Sequence, residues 1–158
     1  MIGVKKIDFQ DECVDKMISL SNTSKDGIVI KSPTGSGKTI ILLKYIEAYF
    51  NNFDEDTVFV WFCPGAGDLE EQSKVEMEKH MKDRVAKDID DTLRNGFDAG
   101  DTVFINWEKV NNANKKAMTE SEHKNLIDQI AKAHRAGFKF VIIVDEEHAY
   151  NTSKSQAV

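Results

Sequence analysis

The sequence predicts an α/β domain with a mainly parallel sheet, and three observations lead there. Short apolar runs alternate with longer amphipathic ones, the pattern of strands joined by helical crossovers. A glycine-rich loop, SPTGSGKT at Ser32–Thr39, lies between one such run and a helical segment. A last apolar run, FKFVIIV at Phe138–Val144, ends in the acids Asp145, Glu146 and Glu147.

Taken in order, Gln10–Ser21 reads as a helix and Gly27–Lys31 (GIVIK) as the first strand. After the glycine-rich loop, a helix is expected from Lys38 to about Phe50. Thr57–Cys63 (TVFVWFC) is a second strand, rich in β-branched and aromatic residues. From Leu69 to Arg94 the pattern reads as one long helix. Its Met77, Met81, Val85, Ile89 and Leu93 recur every four residues and are expected to pack on the sheet. Thr102–Trp107 (TVFINW) is a third strand, with Trp107 and the earlier Trp61 expected in the core. Thr119–Glu122 has capping-box form and opens a helix carrying Leu126, Ile127, Ile130 and Ala131 before Gly137 stops it. Phe138–Val144 is apolar on both faces and is expected at the centre of the sheet. His80 and His123 lie in charged stretches and are expected to be exposed; His134 is expected along or beside a helix face.

Composition narrows the function. The chain has 158 residues, 41% hydrophobic and 30% charged, enough for one domain with a substantial core. A formal charge of -6 argues against binding nucleic acid through bulk positive charge. Any such contact is then local, made by backbone amides and a few lysines. The three arginines, Arg84, Arg94 and Arg135, lie in no recognisable motif. Cys13 and Cys63 are far apart and form no CxxC, so neither a metal site nor a disulfide framework is indicated. The start lacks the apolar stretch of a signal peptide, and the apolar runs are too short to span a bilayer. A cytoplasmic protein without a membrane segment is expected.

Two motifs carry chemistry. In Ser32–Thr39, Gly35 and Gly37 allow a tight turn that aims the backbone N–H groups of Thr34, Gly35, Ser36 and Gly37 at phosphate oxygens. The helix that follows adds its positive N-terminal end. Lys38 places a charge at the β- and γ-phosphates of ATP, and the Thr39 hydroxyl can ligate Mg2+. In Val141–His148, acids at the end of an apolar strand lie where open α/β folds bind ligands. Asp145 is the expected Mg2+ carboxylate, and Glu146 is expected to orient and polarise the water that attacks the γ-phosphate.

Asp145-Glu-Glu-His148 resembles the DExH box, or acidic Walker B motif, of superfamily-two helicases, and Ser32–Thr39 resembles their motif I. Ser32 stands where the general pattern has glycine, a substitution such helicases often carry. Pro64-Gly-Ala-Gly-Asp-Leu-Glu-Glu-Gln72 is similar to motif Ia, with one residue more between Pro64 and Leu69 than the common form. Phe9-Gln10 sits about where that family keeps an adenine-reading glutamine; Gln10 either plays that part or simply opens a helix. PGAGDLEEQS, FINWEKV and DEEHAYNTSKSQA together are similar to the N-terminal motor lobe of type III restriction enzymes.

The resemblance implies a RecA-like P-loop fold, a three-layer α/β/α arrangement truncated after Walker B. Residues 1–158 would be the N-terminal ATP-binding lobe of a DNA-dependent helicase or translocase. Double-stranded DNA rather than RNA, a second RecA-like lobe of the same parent chain and a modification (methyltransferase) subunit are the implied partners. His148 would couple nucleotide to nucleic acid or to the second lobe. No nuclease constellation and no Ser/Thr-Ala-Thr motif is present. Without the second lobe's arginines, worth ~10³–10⁵ in rate, the chain alone should hydrolyse ATP near background. In that fold a further strand separates the phosphate-loop strand from the acidic-motif strand, so both are expected to face a gap. Two rivals are a P-loop ATPase not acting on nucleic acid and a catalytically silent nucleotide-binding module.

Overall fold

The computed structural model describes residues 8–23, 27–33, 35–53, 56–64, 69–110 and 119–145. The chain divides into two compact units, Met1–Asp54 and Glu55–Val158.

The first unit is a helix pair. Helix α1 (Asp8–Thr23) buries Gln10, Val14 and Met17, residues spaced three and four apart on one face. Helix α2 (Lys38–Asn52) is apolar over most of its surface, with Ile41, Leu43, Tyr45, Ile46 and Tyr49 buried. Tyr49 packs on Phe53, ring centroids 4.4 Å apart, where the backbone turns extended and the helix ends. The expected strand Gly27–Lys31 does not form: residues 27–33 carry no regular structure, and Val29 is 70% exposed. Its β-branched composition satisfies only half of what a strand needs, because backbone N–H and C=O groups also require a neighbouring strand.

The second unit is built on a parallel sheet. Its strands are β1 (Thr57–Cys63), β2 (Ala86–Asp88), β3 (Thr102–Asn106) and β4 (Lys139–Val144), in the order β2-β3-β1-β4. β1 is the buried centre, pairing Val60 with Val103 on one side and with Ile142 on the other. Helix α3 (Leu69–His80) covers the face bearing Cys63, whose thiol is hydrogen-bonded by Ser73. The opposite face packs Val58, Val60, Val103 and Ile105 against Ile89 of α4 (Ile89–Asn95) and Leu126 of α6 (Glu120–Arg135). A short helical turn, α5 (Trp107–Val110), follows β3. The unit is thus a three-layer α/β/α stack, the RecA-like arrangement expected.

Several boundaries differ from expectation. The stretch Leu69–Arg94 is not one helix: α3 stops at His80, and Ala86–Asp88 pairs in parallel with Thr102–Phe104 at the sheet edge. Asp88 then caps α4 by accepting from the Asp91 N–H at 2.8 Å. The apolar stripe is broken at Val85, which is 55% exposed. Nearby, Lys87 Nζ lies 2.6 Å from Asp101 Oδ2 and 2.8 Å from Asp98 Oδ2. Sheet pairing, a cap and a half-buried ion pair outweigh the modest preference for continuing a helix.

β3 ends at Asn106, so Trp107 opens α5 instead of closing a strand; it is half-buried against Phe62. Trp61 is fully buried against Phe104, as expected of a core residue. β4 is an edge strand among the described residues, not a central one, with Ile142 55% and Val144 48% exposed. The capping box at Thr119 is present, Glu122 accepting from the Thr119 N–H at 2.7 Å. Leu126 and Ala133 face the core, whereas Ile127 and Ile130 are exposed. His80 is half-buried and bonded to Glu76 at 2.7 Å, contrary to expectation, while His134 is an exposed residue of α6. The side chain of His123 lies outside the described residues.

Candidate nucleotide-binding site

Within the first unit, Gly35 and Ser36 form a turn that runs through Gly37 into α2. The Ser36 N–H donates to the Pro33 carbonyl at 3.2 Å, and the Ser32 and Ser36 hydroxyls hydrogen-bond to each other. Gly35 and Gly37 have φ of 79° and 78°, a left-handed conformation that residues with a Cβ adopt at a cost. Gly37 is the N-cap of α2 and offers no side chain to the helix start. The first turn of α2 contains no acidic residue, so nothing within that turn offsets the positive end of the helix. Lys38 and Thr39 are the first two residues of that helix and are both half-buried. Thr34 lies outside the described residues.

Gln10 reaches this turn from α1. Its Nε2 donates to the Ser36 carbonyl at 3.1 Å. A Cβ placed on Gly37 would stand 2.6 Å from that nitrogen, so a side chain here carries the cost of the positive φ and also pushes the Gln10 amide off its place. Gln10 is buried, and its Oε1 has no hydrogen-bond partner among the described residues. A buried carbonyl oxygen left in that state costs about 1–3 kcal/mol, which a ligand N–H could recover.

In the second unit the sequence-expected acid Asp145 follows β4 directly, its N–H donating to the Phe62 carbonyl at 3.0 Å. The strands are parallel, so Cys63, Asn106 and Asp145 share the C-terminal edge of the sheet. Burial pushes the Cys63 thiol up to about 12, opposed by the Ser73 hydrogen bond and reinforced by the negative charges of Asp145 and Glu70. The Glu70 carboxyl is also held above its ordinary value by burial, against the pull of Lys109 at 3.9 Å. Lys74 pairs with Asp88 at 3.4 Å. Glu146, Glu147 and His148, and residues 65–68 of the motif Ia resemblance, lie outside the described residues.

The structure therefore brings Gln10, Ser36, Gly37, Lys38 and Thr39 together in one unit and sets Asp145 at a strand end in the other. Sequence reasoning missed Asp11, Lys44, Ser21 and Tyr45, which tie α1 to α2 across 33 and 24 residues. No local spacing could have revealed them, since each pair meets only after both helices have packed. Among the described residues no helix is long and apolar enough to cross a membrane.

The fold resembles that of the UvsW helicase from bacteriophage T4, with a TM-score of 0.50 and 15% sequence identity. The match covers 97% of this chain and 57% of that one, so the chain spans little more than half the length of this structural relative. No curated protein sequence matches. The sequence profile of the family described as "Type III restriction enzyme, res subunit" matches residues 4–158. With that profile spanning nearly the whole chain, the chain belongs to the family of type III restriction enzyme Res subunits.

Proposed function

We propose that this chain is the N-terminal ATP-binding lobe of a DNA-dependent motor ATPase in a type III restriction enzyme. The observation that carries the reading is the turn of Gly35–Gly37 into α2: two left-handed glycines, an uncapped helix start without acids, then Lys38 and Thr39. Such a start suits the triphosphate of ATP, and Lys38 adds a point charge to the β- and γ-phosphates. Gln10 suits the base, because an amide presents an acceptor and a donor side by side, the complement of adenine's amino group and N7. Its unpartnered Oε1 would accept from that amino group.

The Thr39 hydroxyl and Asp145 carboxylate are hard oxygen donors of the kind Mg2+ takes together with substrate phosphates. When bound, Mg2+ would neutralise charge developing on the phosphates. Glu146 orients and polarises the attacking water in this reading. Hydrolysis at full rate then requires a second RecA-like lobe, as the family resemblance implies. The partners that follow are double-stranded DNA, that second lobe and a modification (methyltransferase) subunit. Calorimetric titration of Mg·ATP into the chain tests the binding step, and DNA stimulation of ATP hydrolysis in the full-length parent tests the motor assignment. A chain that binds no nucleotide, or a parent whose turnover ignores DNA, overturns the respective step.

A further inference from the structure

Helix α1 is held to the phosphate loop and to α2 by polar contacts spread along its length. Gln10 Nε2 bonds the Ser36 carbonyl at 3.1 Å. One residue on, Asp11 Oδ1 pairs with Lys44 Nζ at 2.8 Å. Towards the other end, the Ser21 and Tyr45 hydroxyls meet at 2.8 Å. Lys44 and Tyr45 are neighbours on α2, whereas Asp11 and Ser21 stand about ten residues, roughly 15 Å, apart along α1. Two anchors that far apart on one helix and adjacent on the other oppose both sliding and rolling of α1. The buried Val14 and Met17 add apolar area between these anchors, with less directional preference than a hydrogen bond has. The Lys44 side chain is 14% exposed and that of Asp11 38%, so the pair is shielded from solvent on the lysine side only.

Gln10 is the immediate neighbour of Asp11, and its amide must lie within hydrogen-bond reach of Ser36 on one side and of a base on the other. Hydrogen bonds weaken steeply with small departures in distance and angle, so the register of α1 sets whether Gln10 can work. We propose that Asp11 and Lys44 are positioning residues for the nucleotide site: they fix α1 on α2 and thereby hold the Gln10 amide at the phosphate loop. The proposal rests on the reading of Gln10 as an adenine contact.

The test is displacement of a fluorescent nucleotide from the 158-residue chain by ATP and by GTP. Asp11→Asn removes the charge with little change of shape. ATP affinity should fall about two- to fivefold, the range that a pair of this exposure allows, while GTP affinity stays level. Gln10→Ala should abolish the preference for ATP. The exchange Asp11→Lys with Lys44→Asp should restore most of it, and Glu76→Gln, which removes a charge pair in α3, should leave it untouched. If Asp11→Asn misfolds by circular dichroism, Lys44→Gln carries the same test. A lower melting temperature with an unchanged ATP/GTP ratio would make the pair merely structural and overturn the proposal, leaving the nucleotide site intact. Nucleotide binding with a ratio indifferent to Gln10→Ala overturns the adenine contact and the proposal with it. A wild-type chain that binds neither nucleotide overturns the functional reading itself.

Discussion

Gly37 shows how closely the candidate site is specified by single residues. Its φ of 78° disfavours any side chain, and the Gln10 nitrogen, 2.6 Å from where a Cβ would stand, would have to move to admit one. Gly37→Ala should therefore destabilise the chain by about 1–3 kcal/mol and weaken nucleotide binding, read by thermal denaturation and titration. Lys38→Ala should leave the fold intact and weaken Mg·ATP binding by about ten- to a hundredfold, the worth of a hydrogen bond to a charged group. An unchanged affinity by calorimetry would remove Lys38 from the site. In the intact parent protein, Glu146→Gln should bind ATP normally and lose turnover; wild-type turnover would pass the role to Glu147. Cys63 offers a pH test. Its folded thiol, pushed up to about 12 from an ordinary 9.0, stays protonated while an unfolded thiol ionises. Its contribution to stability is therefore complete below pH 9 and is lost progressively up to about pH 12. At pH 8 a thiol reagent should modify half-buried Cys13 well before buried Cys63. The glycine-rich turn and the place of Asp145 after β4 were legible in the sequence because turn glycines and strand composition are local signals. Asp11 and Lys44 were not, because an ion pair between two helices leaves no periodic trace.

At the scale of elements, the break in the expected long helix is the instructive case. The stripe of Met77, Met81, Val85, Ile89 and Leu93, one residue in every four, is real in sequence, yet α3 and α4 take separate parts of it around the edge strand β2. Lys87 holds this corner together. Burial works to lower its affinity for the proton, but hydrogen bonds from Lys87 to Asp101 and Asp98 keep it above its ordinary range. Asp101 is 2% exposed, so Lys87→Met would leave a buried carboxylate without its cation. A loss of about 3 kcal/mol is expected, with a melting temperature lower by roughly 6–12 °C. Thr119→Ala should cost about 1 kcal/mol by removing the capping box of α6, measured in urea. That cap, unlike the helix break, was legible, because both halves of a capping box lie within four residues of each other.

For the molecule as a whole, β4 is the exposed flank of the sheet among the described residues. Among the described residues it pairs with β1 alone, and Ile142 and Val144 are about half exposed on the edge of the sheet. An edge with unpaired backbone groups and exposed β-branched side chains is a template for association. The 158-residue chain should therefore self-associate, its average mass in sedimentation equilibrium rising with concentration. Ile142→Lys should suppress the rise, and a monomer at every concentration would refute the argument while leaving the motifs standing. The sequence by itself determined the α/β class, strands β1, β3 and β4 to within a residue or two, the glycine-rich turn before α2 and the capped start of α6. Each of these depends on side-chain period, β-propensity or turn chemistry, which are local and therefore written in the chain. Tertiary structure alone decided that Gly27–Lys31 forms no strand, that β4 lies at an edge, that Ala86–Asp88 leaves its helix for the sheet and that Gln10 meets Ser36. Those outcomes depend on which distant backbone or side chain becomes a partner, and a hydrogen bond between remote residues has no signature in the sequence of either one.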